Sequence, residues 1–160
     1  MNSCMGDDLL TTERFAAFDC VVLRGLPGGG TSTLAALMVA RHGFLHLEAD
    51  QYFVANSVYR FFPARTADAH AVVVREPLAA LQMGRRVVAA NTHVRRWEMA
   101  AVVGAARLAG RSICFIGCQG AWTNVHGVAE AEVASMRLRW ELLPIEFEAV
   151  SFRFRAAEAL

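Results

Sequence analysis

The sequence predicts an α/β fold in three layers, with helices on both faces of a mostly parallel sheet. Three observations carry this. Apolar runs of strand length alternate with longer helical patterns. The runs are almost continuously apolar, as strands covered on both faces must be. A glycine cluster also stands between the first run and the first helix, in VVLRGLPGGGTSTLAALM, residues 21–38.

The elements follow in order. CVVLR (20–24) predicts the first strand. Residues 31–42 predict a helix with Leu34, Leu37 and Met38 on one face, ended by Gly43. FLHLEAD (44–50) predicts a second strand, and residues 66–83 a helix stopped by Gly84, with Pro77 expected to kink or split it. RVVAANT (86–92), the helix WEMAAVVGAARLAG (97–110) and the strand SICFIG (112–117) come next. Residues 129–143 predict a last helix ended by Pro144, and FEAVSFRFR (147–155) alternates in period two, as an edge strand would. A chain of 160 residues suits one core. The expected division is a flexible N-terminus over 1–14, one domain over 15–155 and a frayed tail over 156–160.

Composition narrows the function classes. Hydrophobic residues make up 55% and charged residues 19%, yet no apolar run reaches the roughly 18 residues that would span a bilayer. The N-terminal stretch carries acids where a signal peptide has a basic start. The expectation is an intracellular protein, cytoplasmic or nuclear, with no membrane partner. A net charge of +1 gives no electrostatic case for nucleic acid. Cys4, Cys20, Cys114 and Cys118 match no zinc spacing, and Cys20 and Cys114 are expected as buried thiols. The five histidines form no HExxH arrangement.

The glycine cluster is the feature with chemistry. In a parallel sheet, ligands bind beyond the carboxyl ends of the strands, where this loop lies. Glycines let successive N–H groups turn inward on an anion, and the following helix adds its N-terminal partial charge. The phosphate-binding pattern is GxxxxGK followed by Ser or Thr. Gly25, Gly30 and Ser32 fit it, but Thr31 stands at the lysine position. The candidate nucleotide-binding set is Gly25, Gly28, Gly29, Gly30, Thr31, Ser32 and Thr33, with the Ser32 hydroxyl as candidate magnesium ligand. All sixteen basic residues are arginine. Drift from lysine to arginine would have kept the charge at position 31, so compositional bias does not account for Thr31. Arg24, Arg95 and Arg96 are candidate substitutes, because a guanidinium binds phosphate well.

Further motifs converge: EADQYF (48–53) after the second strand, ANTHVRRWEM (90–99) after the third, and NVHGVAEAEVASMRLRWE (124–141) near the end. Over residues 20–143 their order and spacing resemble the Nedd-binding, polynucleotide-kinase-like P-loop proteins. The resemblance implies a three-layer P-loop NTPase of the kinase type, using magnesium with ATP or GTP to phosphorylate a hydroxyl, often a nucleic-acid 5′ end. It implies Asp50 as general base for the acceptor hydroxyl, and packing roles for Trp97, Met99, His70 and His126.

The departures are chemically selective. Thr31 replaces the loop lysine, Gln51 an acid after the second strand, Ala90 the acid ending the third, and Thr123 a lid arginine. Residues suited to packing stay, and those suited to phosphoryl chemistry are gone. The expectation is a catalytically impaired kinase-fold protein with a degenerate loop and a vestigial Asp50. It would act by binding a protein partner or, weakly, a nucleotide or nucleic-acid end. The alternatives are an active 5′-hydroxyl kinase using substitute arginines, and an interaction protein with no cofactor.

Overall fold

A computed structural model describes residues 12–47, 75–120 and 127–144, together with the backbone of the strand pairs at 54–55, 58–59 and 149–152. The main sheet has five strands: β1 (Cys20–Arg24), β2 (Leu45–Leu47), β5 (Val87–Asn91), β6 (Ile113–Cys118) and β7 (Ala149–Phe152). Their spatial order is β2-β5-β1-β6-β7, and every pairing is parallel. A separate two-stranded antiparallel pair joins β3 (Val54–Ala55) to β4 (Val58–Tyr59). The fold is the α/β three-layer class expected, with β7 at the sheet edge.

Register explains why β1 carries the site. It lies between β5 and β6, pairing Arg24 with Asn91 on one side and with Gly117 on the other. All five β1 residues are buried, because both faces are covered. Val21 and Leu23 pack with Phe15, Leu34, Met38, Val88 and Ile116. Cys20 and Val22 point to the opposite layer, with Leu81, Val87, Met99, Val102 and Phe115. Burial raises the Cys20 thiol to about 12, with the Asp19 charge adding to it, so the thiol stays protonated and packs as an apolar group.

The helices are α1 (Thr31–His42), α2 (described over residues 75–82), α3 (Ala100–Leu108) and α4 (Glu130–Leu138). Gly43 ends α1 in the left-handed conformation (φ 69°), its N–H bonding the carbonyls of Met38 and Val39. Four expectations are corrected. Helix α2 runs through Pro77 unbroken over 75–82. A 3₁₀ turn (Arg96–Met99) precedes α3, closed by Glu98, whose Oε1 accepts from the Arg95 N–H at 3.2 Å. Helix α4 stops well before Pro144, because Trp140 and Glu141 are drawn to β1 and β5, as set out below. The N-terminal boundary also lies earlier. Residues 12–15 form a helical turn, with Thr12 and Phe15 buried. None of the helices among the described residues is long and apolar enough to cross a membrane.

Candidate functional site: the glycine loop and the cleft beside it

Residues 25–30 connect the carboxyl end of β1 to the start of α1. Gly28 (φ 82°) and Gly30 (φ 94°) adopt left-handed conformations that a side chain would strain. The first helical bond runs from the Leu34 N–H to the Gly30 carbonyl at 3.0 Å. Thr31, Ser32 and Thr33 therefore form the first turn, whose N–H groups precede the intrahelical ladder.

Gly25 and Gly29 have a different task. The Gly29 N–H donates to Leu26 O at 2.8 Å, and the Gly25 N–H to Thr92 O at 3.3 Å. Both donors are thus engaged within the protein. What these positions need is closeness. A Cβ on Gly29 would stand 2.8 Å from Leu26 O and 2.9 Å from Cys118 O, two backbone atoms that cannot swing away. One on Gly25 would meet the same Cys118 carbonyl at 2.9 Å. The Gly29 carbonyl accepts from the Gly120 N–H at 2.9 Å, tying the loop to the tail of β6. Gly29→Ala is therefore expected to destabilise the fold by about 2–3 kcal/mol, read as a lower midpoint in urea unfolding. An unchanged midpoint would contradict this packing.

Thr31 supplies no charge, and its γ-methyl lies against Gly25: the methyl carbon would be 3.1 Å from a Cβ placed there. Ser32 and Thr33 are exposed at the helix start. No cluster of three or more His, Cys, Asp or Glu side chains capable of holding a metal occurs among the described residues. A nucleotide-borne magnesium needs only one or two protein ligands, which the Ser32 hydroxyl fits. Ala90 is buried in the core, so no carboxylate ends β5 at that position. Asp50, Gln51, His70, Thr123 and His126 lie outside the described residues.

The structure redirects Arg24. Its side chain turns away from solvent, and the residue is 3% exposed. Nε and Nη2 donate to His93 O at 3.0 and 2.7 Å, and Nη2 also to Val94 O at 3.1 Å and Glu141 O at 2.9 Å. The guanidinium carbon stacks 4.3 Å from the centre of the Trp140 ring. It is a strut joining the ends of β1, β5 and α4, committed to three carbonyls rather than offered to a phosphate. His93 completes the strut: it holds φ 45°, and its Nδ1 donates to Leu23 O at 2.8 Å. Arg96 is likewise occupied. Its Nε lies 3.5 Å from Glu141 Oε2, the same oxygen that accepts from its N–H at 2.9 Å. That backbone bond is the first cause holding the Glu141 carboxyl below the usual carboxylate range. Arg95 is exposed. Met99 is buried as expected, but Trp97 is 62% exposed and does not pack in the core.

A cleft of about 610 Å³ opens beside the loop, within the size range of small-molecule sites. Leu26, Pro27, Gly28 and Gly29 form one wall and Gly117–Gly120 the floor. The facing wall is one stripe of α4 and its exit: Glu130, Val133, Arg137 and Trp140. Spacing of three and four residues puts Glu130, Val133 and Arg137 on a single helical face, and Trp140 follows just past the helix end. The sequence reading missed this face, although that spacing was its signal.

Residues 20–126 match the family model described as an AAA domain (AAA_33), which is two thirds of the chain. The chain belongs to this AAA domain family. Solved structures resemble this AAA domain at the level of fold. A sugar kinase from Janibacter sp. HTCC2649 is 14% identical with a TM-score of 0.61, covering 85% of each chain. A gluconokinase from Sinorhizobium meliloti 1021 is 11% identical with a TM-score of 0.55, over 84% of this chain and 81% of that one. The Mycobacterium tuberculosis APS kinase CysC, solved with AMPPNP and APS, is 15% identical with a TM-score of 0.52, over 85% and 88%. The AAA domain described here is thus a P-loop protein with a kinase-like fold.

Proposed function

We propose that this protein binds a magnesium nucleotide at residues 25–33 and acts through binding, with phosphoryl transfer impaired. One observation carries the reading. Where a phosphotransferase loop presents an ammonium, Thr31 presents a neutral side chain whose methyl packs on Gly25. The neighbouring cation Arg24 is held by three carbonyls. The loop backbone still favours an anion through Gly28, Gly30 and the α1 start. It lacks the charge that would follow the transferred phosphate, and losing one such preorganised donor costs about 100- to 1,000-fold in rate.

Calorimetry with ATP and GTP, with and without magnesium, tests this directly. The native chain is expected to bind weakly, and Thr31→Lys to tighten binding about tenfold or more, as a charge-assisted contact to phosphate should. Transfer of the γ-phosphate to a 5′-hydroxyl oligonucleotide by the native chain, abolished in Asp50→Ala, would overturn impairment. It would establish the alternative, an active polynucleotide or nucleotide kinase using substitute arginines. That alternative is favoured by one observation: an arginine does line the cleft beside the loop.

A further inference from the structure

The cleft contains one cation that the loop reading did not foresee. Arg137 sits in the last turn of α4 and lines the cleft together with Gly28 and Gly29. The arginines around it are engaged. Arg24 holds backbone carbonyls, Arg96 pairs with Glu141, and Arg139 pairs with Glu132 at 2.9 Å. The guanidinium of Arg137 holds no hydrogen bond or ion pair among the described residues, and the residue is exposed. Arg139 sits two positions further along, on another face of the helix, and its pairing with Glu132 keeps that acid from competing for Arg137.

The wall is ordered by chemistry. Val133 and Trp140 supply apolar surface on the α4 side, and Leu26 and Pro27 face it from the loop. Trp140 is fixed in place, because the Arg24 guanidinium stacks on it and Glu141 is tied to Val94 through its N–H at 3.0 Å. Glu130, two turns from Arg137 on the same face, offers an acceptor. A slot whose α4 side offers a carboxylate, then apolar Val133, then a fork of donors beside the Trp140 ring suits an amphiphilic anion. Such a ligand has a flat body, a hydroxyl or amino donor, and a phosphate chain.

We propose that Arg137 is the phosphate-binding cation of this site. It acts from α4, in the cleft it lines with Gly28 and Gly29, and grips the polyphosphate of the bound nucleotide while Val133 and Trp140 carry its base. The assignment rests on the nucleotide-binding reading above and names the charge that makes such binding feasible without a loop lysine. An arginine is the suitable residue, since its planar fork takes two phosphate oxygens at once where a hydroxyl takes one.

The test is calorimetry with magnesium–ATP and with inorganic tripolyphosphate, on the native protein and on Arg137→Gln, Arg137→Lys and, as a control, Arg107→Gln, an exposed arginine of α3 that does not line the cleft. Thermal unfolding midpoints show that the variants are folded. Arg137→Gln is expected to weaken both ligands roughly 10- to 100-fold. Arg137→Lys should recover part of the loss, and Arg107→Gln should stay within about twofold of the native value. Equal affinity in the native protein and Arg137→Gln would overturn the assignment and leave nucleotide binding standing. Weakened ATP binding with unchanged tripolyphosphate binding would also overturn it, by placing Arg137 on the base or sugar. Failure of the native protein to bind either ligand would end both proposals together.

Discussion

Arg24→Ala is expected to be among the most damaging single substitutions in this protein, lowering stability by about 3–5 kcal/mol. The guanidinium is buried and donates to three carbonyls from two segments far apart in sequence. Removing it leaves the His93, Val94 and Glu141 oxygens without that donor and strips one face of Trp140 of its stacked partner. Each buried acceptor left unmatched costs on the order of 1–3 kcal/mol, and truncation adds a cavity. Arg24→Lys should recover little, because one ammonium cannot span carbonyls that the fork reaches together. Urea unfolding measures this, and a loss below about 1 kcal/mol would show that the strut contributes little. The magnitude also separates two roles for Arg24. A phosphate ligand at an open loop would leave stability nearly unchanged and affect nucleotide affinity alone.

The second large effect is on acid stability. Burial, opposed by the hydrogen bond to Leu23 O and reinforced by the Arg24 charge, lowers the His93 pKa to about 4 from an ordinary 6.5. The unfolded chain takes up its proton as pH falls through 6.5, whereas the folded protein resists until about 4. Stability is therefore full above pH 6.5 and declines as pH falls from there to about 4. The total loss from this one group is about 3 kcal/mol. Its Nδ1 already donates, and a second proton would add a cation beside Arg24 in a buried site. Unfolding free energies measured between pH 7 and 4 should slope accordingly. His93→Asn removes the titration while tolerating the left-handed backbone, and should flatten that slope. A slope unchanged in the variant would assign the acid sensitivity to other groups.

Much of the fold was legible in the residues, for identifiable reasons. Strands β1, β5 and β6 are buried on both faces, so they read as unbroken apolar runs bounded by loop residues. Helix α1 ended where Gly43 said it would, because a left-handed C-cap is a local requirement. Long-range contacts were not legible. The end of α4 is decided by Arg24, 117 residues from Glu141 in the chain, and no local pattern announces that. Trp97 resembled a core residue by type, but the 3₁₀ turn buries Met99 and leaves the indole outside.

At the site, the loop was legible because its glycine pattern is local, whereas the allocation of cations was not. Arg24 stands next to the loop in sequence, yet its guanidinium is occupied by the carbonyls of His93, Val94 and Glu141. Arg137 was passed over inside a motif, although the stripe Glu130, Val133, Arg137 and Trp140 was countable from the spacing alone.

The passage of the Cys118 carbonyl so close to Gly25 and Gly29 has a consequence for how such a loop can persist. Two of its glycines answer to the central sheet and would be retained by the demands of folding even if no phosphate ever arrived. A lysine has no such architectural employment. Under relaxed demand for turnover, the cradle's outline is therefore the durable part and its charge the part that mutation can erase without unfolding the chain.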